Sequence, residues 1–185
     1  TISLSGANVA LKEAEATDIG ASTITGSFTL ESTGEVSDSG TLSVTGASSI
    51  SATGQDVTLD NESTSLGDLS VVAKNVYLVE DGAINASNIT AETIQLSASE
   101  GISLNSTGEN LQLAARSGTG DVNVVNTGAL VISKLDKLEG IAFTDLNANG
   151  KISLIAQSPL TVNAPIDAKG GDVLLVAAGS SKADD

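Results

Sequence analysis

The chain has 185 residues, 40 % of them hydrophobic, and its 8 basic and 23 acidic side chains give a formal charge of −15. That balance repels nucleic-acid phosphates and anionic lipid headgroups. The absence of Cys and His removes disulfides, thiolate metal sites and the commonest metal ligand and general base.

The length fits one domain with a real core. Two Phe, one Tyr, no Trp and no Met leave that core to Val, Ile, Leu and Ala, which suit a narrow interior filled in identical layers. In chain order, apolar residues flanking a single spacer begin at Ile2/Leu4 and Val9/Leu11. The segment ALKEAEATDIGA, Ala10 to Ala21, comes nearest to a helical stripe, but Thr17, Asp18 and Gly20 break it within two turns. It is expected to be at most a short helical turn in a loop. The pairs then recur at Phe28/Leu30, Leu42/Val44, Val57/Leu59, Leu69/Val71, Val76/Leu78, Ile94/Leu96, Ile102/Leu104 and Leu111/Leu113. They continue at Val122/Val124, Leu130/Ile132, Ile152/Leu154, Leu160/Val162 and Val173/Leu175. Period two in short bursts is the mark of strands. The TG, SG, EG, GG and NG pairs between them are corner residues, which accept positive φ or bond their own backbone.

Spacing decides how the strands are arranged. One series starts at Val57, Val76, Ile94, Leu111, Leu130, Ile152 and Val173, and a second at Ile50, Leu69, Ile84, Ile102, Val122, Ile141 and Leu160. Both return after about 19 residues, a fixed period that signals a repeat architecture, whereas a sandwich has no reason to keep two interleaved phases. The expected fold is all-β, a parallel β-helix (β-solenoid) of nine to ten coils, about 45 Å long at the ~4.8 Å spacing of stacked strands. Its outward spacers, among them Ser3, Thr29, Ser43, Thr58, Ser103 and Asn123, are small and hydrogen-bonding, as a flat sheet face requires. The chain opens at Thr1 without a Met or a leader pattern, so residues 1–185 are expected to be a single solenoid segment excerpted or processed from a longer chain.

From about Thr41 onward, VEDGAINAS (Val79 to Ser87), LTVNAPIDAKGGDVLLVA (Leu160 to Ala177) and the GxIxL forms at Gly101 and Gly150 resemble the repeat region of filamentous-haemagglutinin-like exoproteins. The resemblance is weaker in the first forty residues. It implies a right-handed parallel β-helix in a large bacterial secreted or surface protein, exported through an outer-membrane partner and often used in adhesion. The Asn-Pro motifs of that family's secretion domain do not occur here.

The sharpest local motif is DLNANGKISLIA at Asp145 to Ala156. Asp145, Asn147, Asn149 and Gly150 match the first ligands and the bend of a calcium loop, where alternating oxygens surround the ion. The closing position is Ala156 instead of Glu, so an Asn-Gly corner entering a strand is the favoured reading and calcium the alternative. KGGDV at Lys169 to Val173 resembles a fragment of a calcium-binding nonapeptide but stands alone, which reads as a turn. The acidic pairs Glu80/Asp81, Asp136/Glu139 and Asp184/Asp185 are of the residue type that glycosidases use as acid and base or that ligate a cation. A single Arg116 and a single Tyr77 leave them without a cleft of aromatic and basic residues, and no catalysis is expected. The sequons at Asn61, Asn85, Asn88 and Asn105 are expected in exposed turns. Thr23/Thr25, the only Thr-x-Thr of TITGSFT, lacks the repetition an ice-binding face needs.

The expected function is that of a structural or adhesive β-solenoid segment of a secreted or cell-surface bacterial protein, forming a stalk, fibre or adhesion surface. Its expected partners are a host or neighbouring cell surface, or other copies of itself stacked end to end, with no nucleic acid. No run of 18 apolar residues spans a membrane as a helix. The alternatives are a carbohydrate-binding or carbohydrate-degrading β-helix and an extracellular filament subunit.

Overall fold

Each apolar pair points both members inward and its spacer outward. Leu42 and Val44 are 0 % and 3 % exposed on either side of the half-buried Ser43, and Ile102 and Leu104 are buried around an exposed Ser103. A strand two to six residues long cannot bury such a pair alone. It does so by stacking in parallel on the equivalent strand one coil away. The computed structural model describes residues 1–145 and 150–179, and among these all regular structure is β.

The stacking is continuous. One inward column runs Val9, Phe28, Ser48, Leu69, Ala86, Leu104, Val124, Leu154 and Leu175, each paired with the next. These nine rungs define the coils of the β-solenoid. On a second face Thr17, Val36, Val57, Val76, Ile94 and Leu113 form the equivalent column, extended by Ile132 and Val162. Over the first coils a third face is built by Ser5–Gly6, Ser22–Ile24 and Leu42–Val44. Farther along, strands lengthen through the corners, as Ile102–Ser117 does, with a register shift at the bend. A single apolar cluster fills the interior from Ile19 to Ala168.

Corners place polar atoms inside, and the inward side chains there satisfy them. Asn126 donates from Nδ2 to the carbonyls of Gly108 and Ala129, both at 3.0 Å, and accepts from Ser106 Oγ at 3.0 Å. The single hydroxyl hydrogen of Ser117 is shared between the carbonyls of Gly120, at 2.9 Å, and Glu100. A buried polar group without such a partner would cost 1–3 kcal/mol, by an order-of-magnitude estimate of roughly that size. At another corner Gly26, Gly46 and Gly67 stack in successive coils. A Cβ on any of them would strike the carbonyl of the residue one coil below, so the close approach of the ladder demands glycine.

Two expectations change. Ala10–Ala21 contains no helical turn. Val9–Glu13 and Thr17–Ile19 are strands, because Ile19, together with the partly buried Leu11, packs against the core and stacking outweighs the local stripe. The two sequence series also exchange faces. Leu130 follows Leu111 by 19 residues, but Leu160 follows Leu130 by 30, because this coil carries extra chain. Ile152 and Val173 therefore stack on Val122, while Ile141 stacks on Ala115 and Leu160 on Leu130. Apolar pairs look alike on both faces, so even spacing in sequence hides the exchange.

Candidate functional site

The extra chain between Ile132 and Ile141 forms a strap on the outside of the solenoid. It leaves at Ser133 and returns at Gly140, whose N–H donates to the Ser133 carbonyl at 3.0 Å, and Leu135 N–H donates to the Leu138 carbonyl at 2.8 Å. Lys134 and Glu139 bridge its two sides, with an ion pair at 3.2 Å. Gly140 has φ 67 and packs so closely on Pro165 that a side chain would strike the Pro165 carbonyl. The strap folds back over the second face because Gln95, an outward spacer, accepts from the N–H groups of Lys137 at 2.8 Å and Leu138 at 3.1 Å. Leu138 is thereby 5 % exposed, and the outward Ala114 beside Gln95 is 0 % exposed.

Against this wall the face forms a groove. Its floor consists of two adjacent outward columns, Asp56–Asn75–Thr93 and Thr58–Tyr77–Gln95, set side by side by the register. Asn75 Nδ2 donates to Asp56 Oδ1 at 2.8 Å, and Thr93 Oγ1 donates to Asn75 Oδ1 at 2.7 Å. The hollow measures about 330 Å³ and is walled by Leu135, Asp136 and Lys137. A second hollow of about 220 Å³ shares Asp56 and Thr58 with it and reaches Asp18 and Glu35 along the same face. Tyr77, the chain's one tyrosine, lies half-buried in the floor. Burial first, and Asp60 next, raise its phenol above the ordinary value against the opposing pull of Lys137 and Arg116. At the far end Asp18 is held below the usual carboxylate range by hydrogen bonds from the hydroxyls of Thr1 and Ser39.

A second unusual group lies inside. Glu80 occupies the inward column Glu80–Ala98–Ser117–Phe143 and is 3 % exposed. Oε2 accepts from Leu66 N–H at 3.2 Å, and Oε1 has no hydrogen-bond partner. Burial raises its pKa to about 8, with the Leu66 hydrogen bond opposing. Two coils below, Asp38 accepts from Thr64 Oγ1 at 2.8 Å and from the N–H groups of Asp60 and Asn61. The corner from Asp60 to Leu66 is thus held by buried carboxyl groups from both sides.

Other sequence candidates disperse. Asn147 and Asn149 of the calcium motif lie outside the described residues, as do Asp184 and Asp185. Asp145 N–H donates to the Gly118 carbonyl at 3.3 Å. Among the described residues no group of three or more His, Cys, Asp or Glu is placed to hold a metal ion. KGGDV forms a turn that leads into the strand beginning at Val173: Lys169 and Gly170 have φ 49 and 96, and Gly171 N–H donates to the Ala168 carbonyl at 2.9 Å. Glu80 and Asp81 part company, one buried and one exposed, and Asp136 and Glu139 sit on the strap beside Lys137 and Lys134. Of the sequons only Asn61 lies at a turn. Asn85, Asn88 and Asn105 sit within strands, because the ladder runs straight through these polar bursts. Thr23 stacks between Ser5 and Ser43, so no threonine array forms. The groove itself went unseen in the sequence, because its parts come from Asp56 to Lys137 and only the ladder and the strap unite them.

Residues 6–73 match a family model described as repeats of unknown function (DUF5649). The match covers the first rungs of the ladder. No curated protein and no solved structure matches the chain. A β-solenoid repeat protein is what the fold and this match together support.

Proposed function

We propose that this β-solenoid serves as a rigid structural and adhesive segment of a bacterial secreted or cell-surface protein of the filamentous-haemagglutinin-like kind. The observation that carries the reading is the uninterrupted parallel ladder of nine rungs from which one strap departs to wall a groove on the outer face. A solenoid in which each coil contacts its neighbours is a stiff spacer, and an insertion on one face is where such repeats commonly carry binding. The −15 charge favours solubility and disfavours anionic surfaces.

Beads coated with the chain, offered to epithelial and bacterial cells, test the adhesive half. Saturable retention that soluble chain competes away is the expected result, and retention no better than albumin-coated beads overturns it. Small-angle scattering tests the stiff half through the cross-section and length of a rod.

A further inference from the structure

We propose that the groove along the second face, ended by the strap, binds a linear neutral oligosaccharide lying parallel to the solenoid axis. The inference deepens the adhesive reading and rests on it by supplying the chemistry of the recognised surface.

The shape comes from the register. The outward column Asp18–Ser37–Thr58–Tyr77–Gln95 places one side chain per coil in a straight line, covering about 20 Å at the ~4.8 Å spacing of stacked strands. One sugar unit advances a linear glycan by a distance close to one coil. The strap then closes the line, because Lys137 and Leu138 are pinned on Gln95 and the next outward residue, Ala114, is covered. A chain-like ligand therefore meets an open run and a stop.

The chemistry selects among linear ligands. Tyr77 is the only aromatic side chain on the outside, since both Phe are buried. An amphipathic ring with a polar tip stacks on the C–H face of a sugar and hydrogen-bonds its hydroxyls. Around it stand Asp56, whose carboxylate accepts from hydroxyls, and Asn75, Thr93 and Thr58, which both donate and accept. A peptide strand would need a free sheet edge or apolar side-chain pockets, and this floor is the polar face of a fully paired ladder. Asp18, Glu35 and Asp56 along the run against Lys137 at its end give the groove a negative field, which rejects sulfated or uronic-acid glycans.

With no Trp and one Tyr, tyrosine fluorescence reports on Tyr77 alone. The probes are cellohexaose, maltohexaose and chitohexaose, their disaccharides, and a heparin hexasaccharide. At least one neutral hexasaccharide is expected to change the emission saturably, to bind more tightly than its disaccharide, and to lose affinity by about tenfold or more in Tyr77→Ala by calorimetry. Asn75→Ala is the second variant, and circular dichroism confirms that each remains folded. No binding of any neutral probe, equal binding by the folded variants, or tighter binding of the heparin fragment overturns the proposal. Cell retention of beads separates the two readings. Tyr77→Ala beads that adhere like wild type while no probe binds sink the groove and leave adhesion standing; oligosaccharide binding without bead retention does the reverse.

Discussion

The carboxyl group of Glu80 crosses a corner of the solenoid to accept the Leu66 N–H at 3.2 Å, while its other oxygen, in a site 3 % exposed, has no hydrogen-bond partner. The buried site favours the neutral acid, so its pKa rises to about 8 from 4.5. The folded state holds a proton there that the unfolded chain releases. Stability is therefore undiminished below pH 4.5, falls as pH rises, and reaches its full loss above about pH 8, on the order of 5 kcal/mol. Glu80→Gln keeps an acceptor for Leu66 and removes the titration. Urea melts should show the variant more stable than wild type at pH 9 and indistinguishable at pH 4. Parallel curves across that range would remove Glu80 as their source.

Much of the fold was legible because burial in a solenoid is written locally: an apolar pair around a small polar spacer, such as Leu42-Ser43-Val44 or Ile102-Ser103-Leu104, states which atoms face in. The coil length was legible for the same reason. Which column a pair joins was not, since Ile141 and Ile152 have the same local pattern and only the strap between Ile132 and Ile141 sorts them. Glu80 was equally opaque. Beside Asp81 it reads as a solvated acidic pair, and its inward placement follows from the alternation of Val76, Leu78 and Glu80 along one strand that pairs with Ile94, Leu96 and Ala98. The groove needed both kinds of information, the register to align Asp56, Asn75 and Tyr77 and the strap to wall them.

Inward and outward positions of the ladder should respond to mutation in opposite ways. Leu113 is 0 % exposed between Ile94 and Ile132, and Leu113→Ala should cost about 2–5 kcal/mol through lost burial and an unfilled cavity. Asn123→Ala, on an exposed spacer, should stay within about 0.5 kcal/mol. Denaturant midpoints measure both, and equal losses would contradict the alternation.

Asn126 should behave as a core residue despite its chemistry. It is 2 % exposed and answers the carbonyls of Gly108 and Ala129 as well as Ser106 Oγ. Asn126→Ala leaves these groups unsatisfied and should lower stability by about 1–3 kcal/mol. Asn126→Asp should be worse at neutral pH, where a carboxylate turns the two carbonyl contacts repulsive, and should recover in acid. Midpoints at pH 7 and pH 4 check the order.

The calcium motif gives a sharp negative expectation. Its bidentate position is Ala156, which is buried with 1 % exposure in the strand Ile152–Gln157 and supplies no carboxylate. Cations should therefore act on this −15 chain through charge screening. Calcium and magnesium at equal millimolar concentration should raise Tm equally, with Asp145→Ala following wild type. A rise at micromolar calcium that Asp145→Ala abolishes would signify specific binding to the folded chain, with its stabilisation growing as RT ln(1 + [L]/Kd).

The last coil carries the final expectation. Val162, Val173 and Leu175 continue the inward columns of Ile132, Ile152 and Leu154, yet they are 46 %, 46 % and 43 % exposed because no rung follows them among the described residues. Among the described residues the strand Val173–Ala178 pairs on one side only, with Ile152–Gln157, and an open parallel edge above an apolar layer templates further strands. At the opposite end Val9 and Leu11 head the same two columns that end in Leu175 and Ala177, so a second copy added head to tail continues both ladder and core. Such a contact is heterologous and does not close on itself. The 185-residue chain in isolation should therefore associate with rising concentration, and Leu175→Lys should suppress the association by placing an ammonium in the layer. Sedimentation velocity and electron microscopy check this. A strictly monomeric wild-type rod, or association indifferent to Leu175→Lys, would show that the end coil is not the contact.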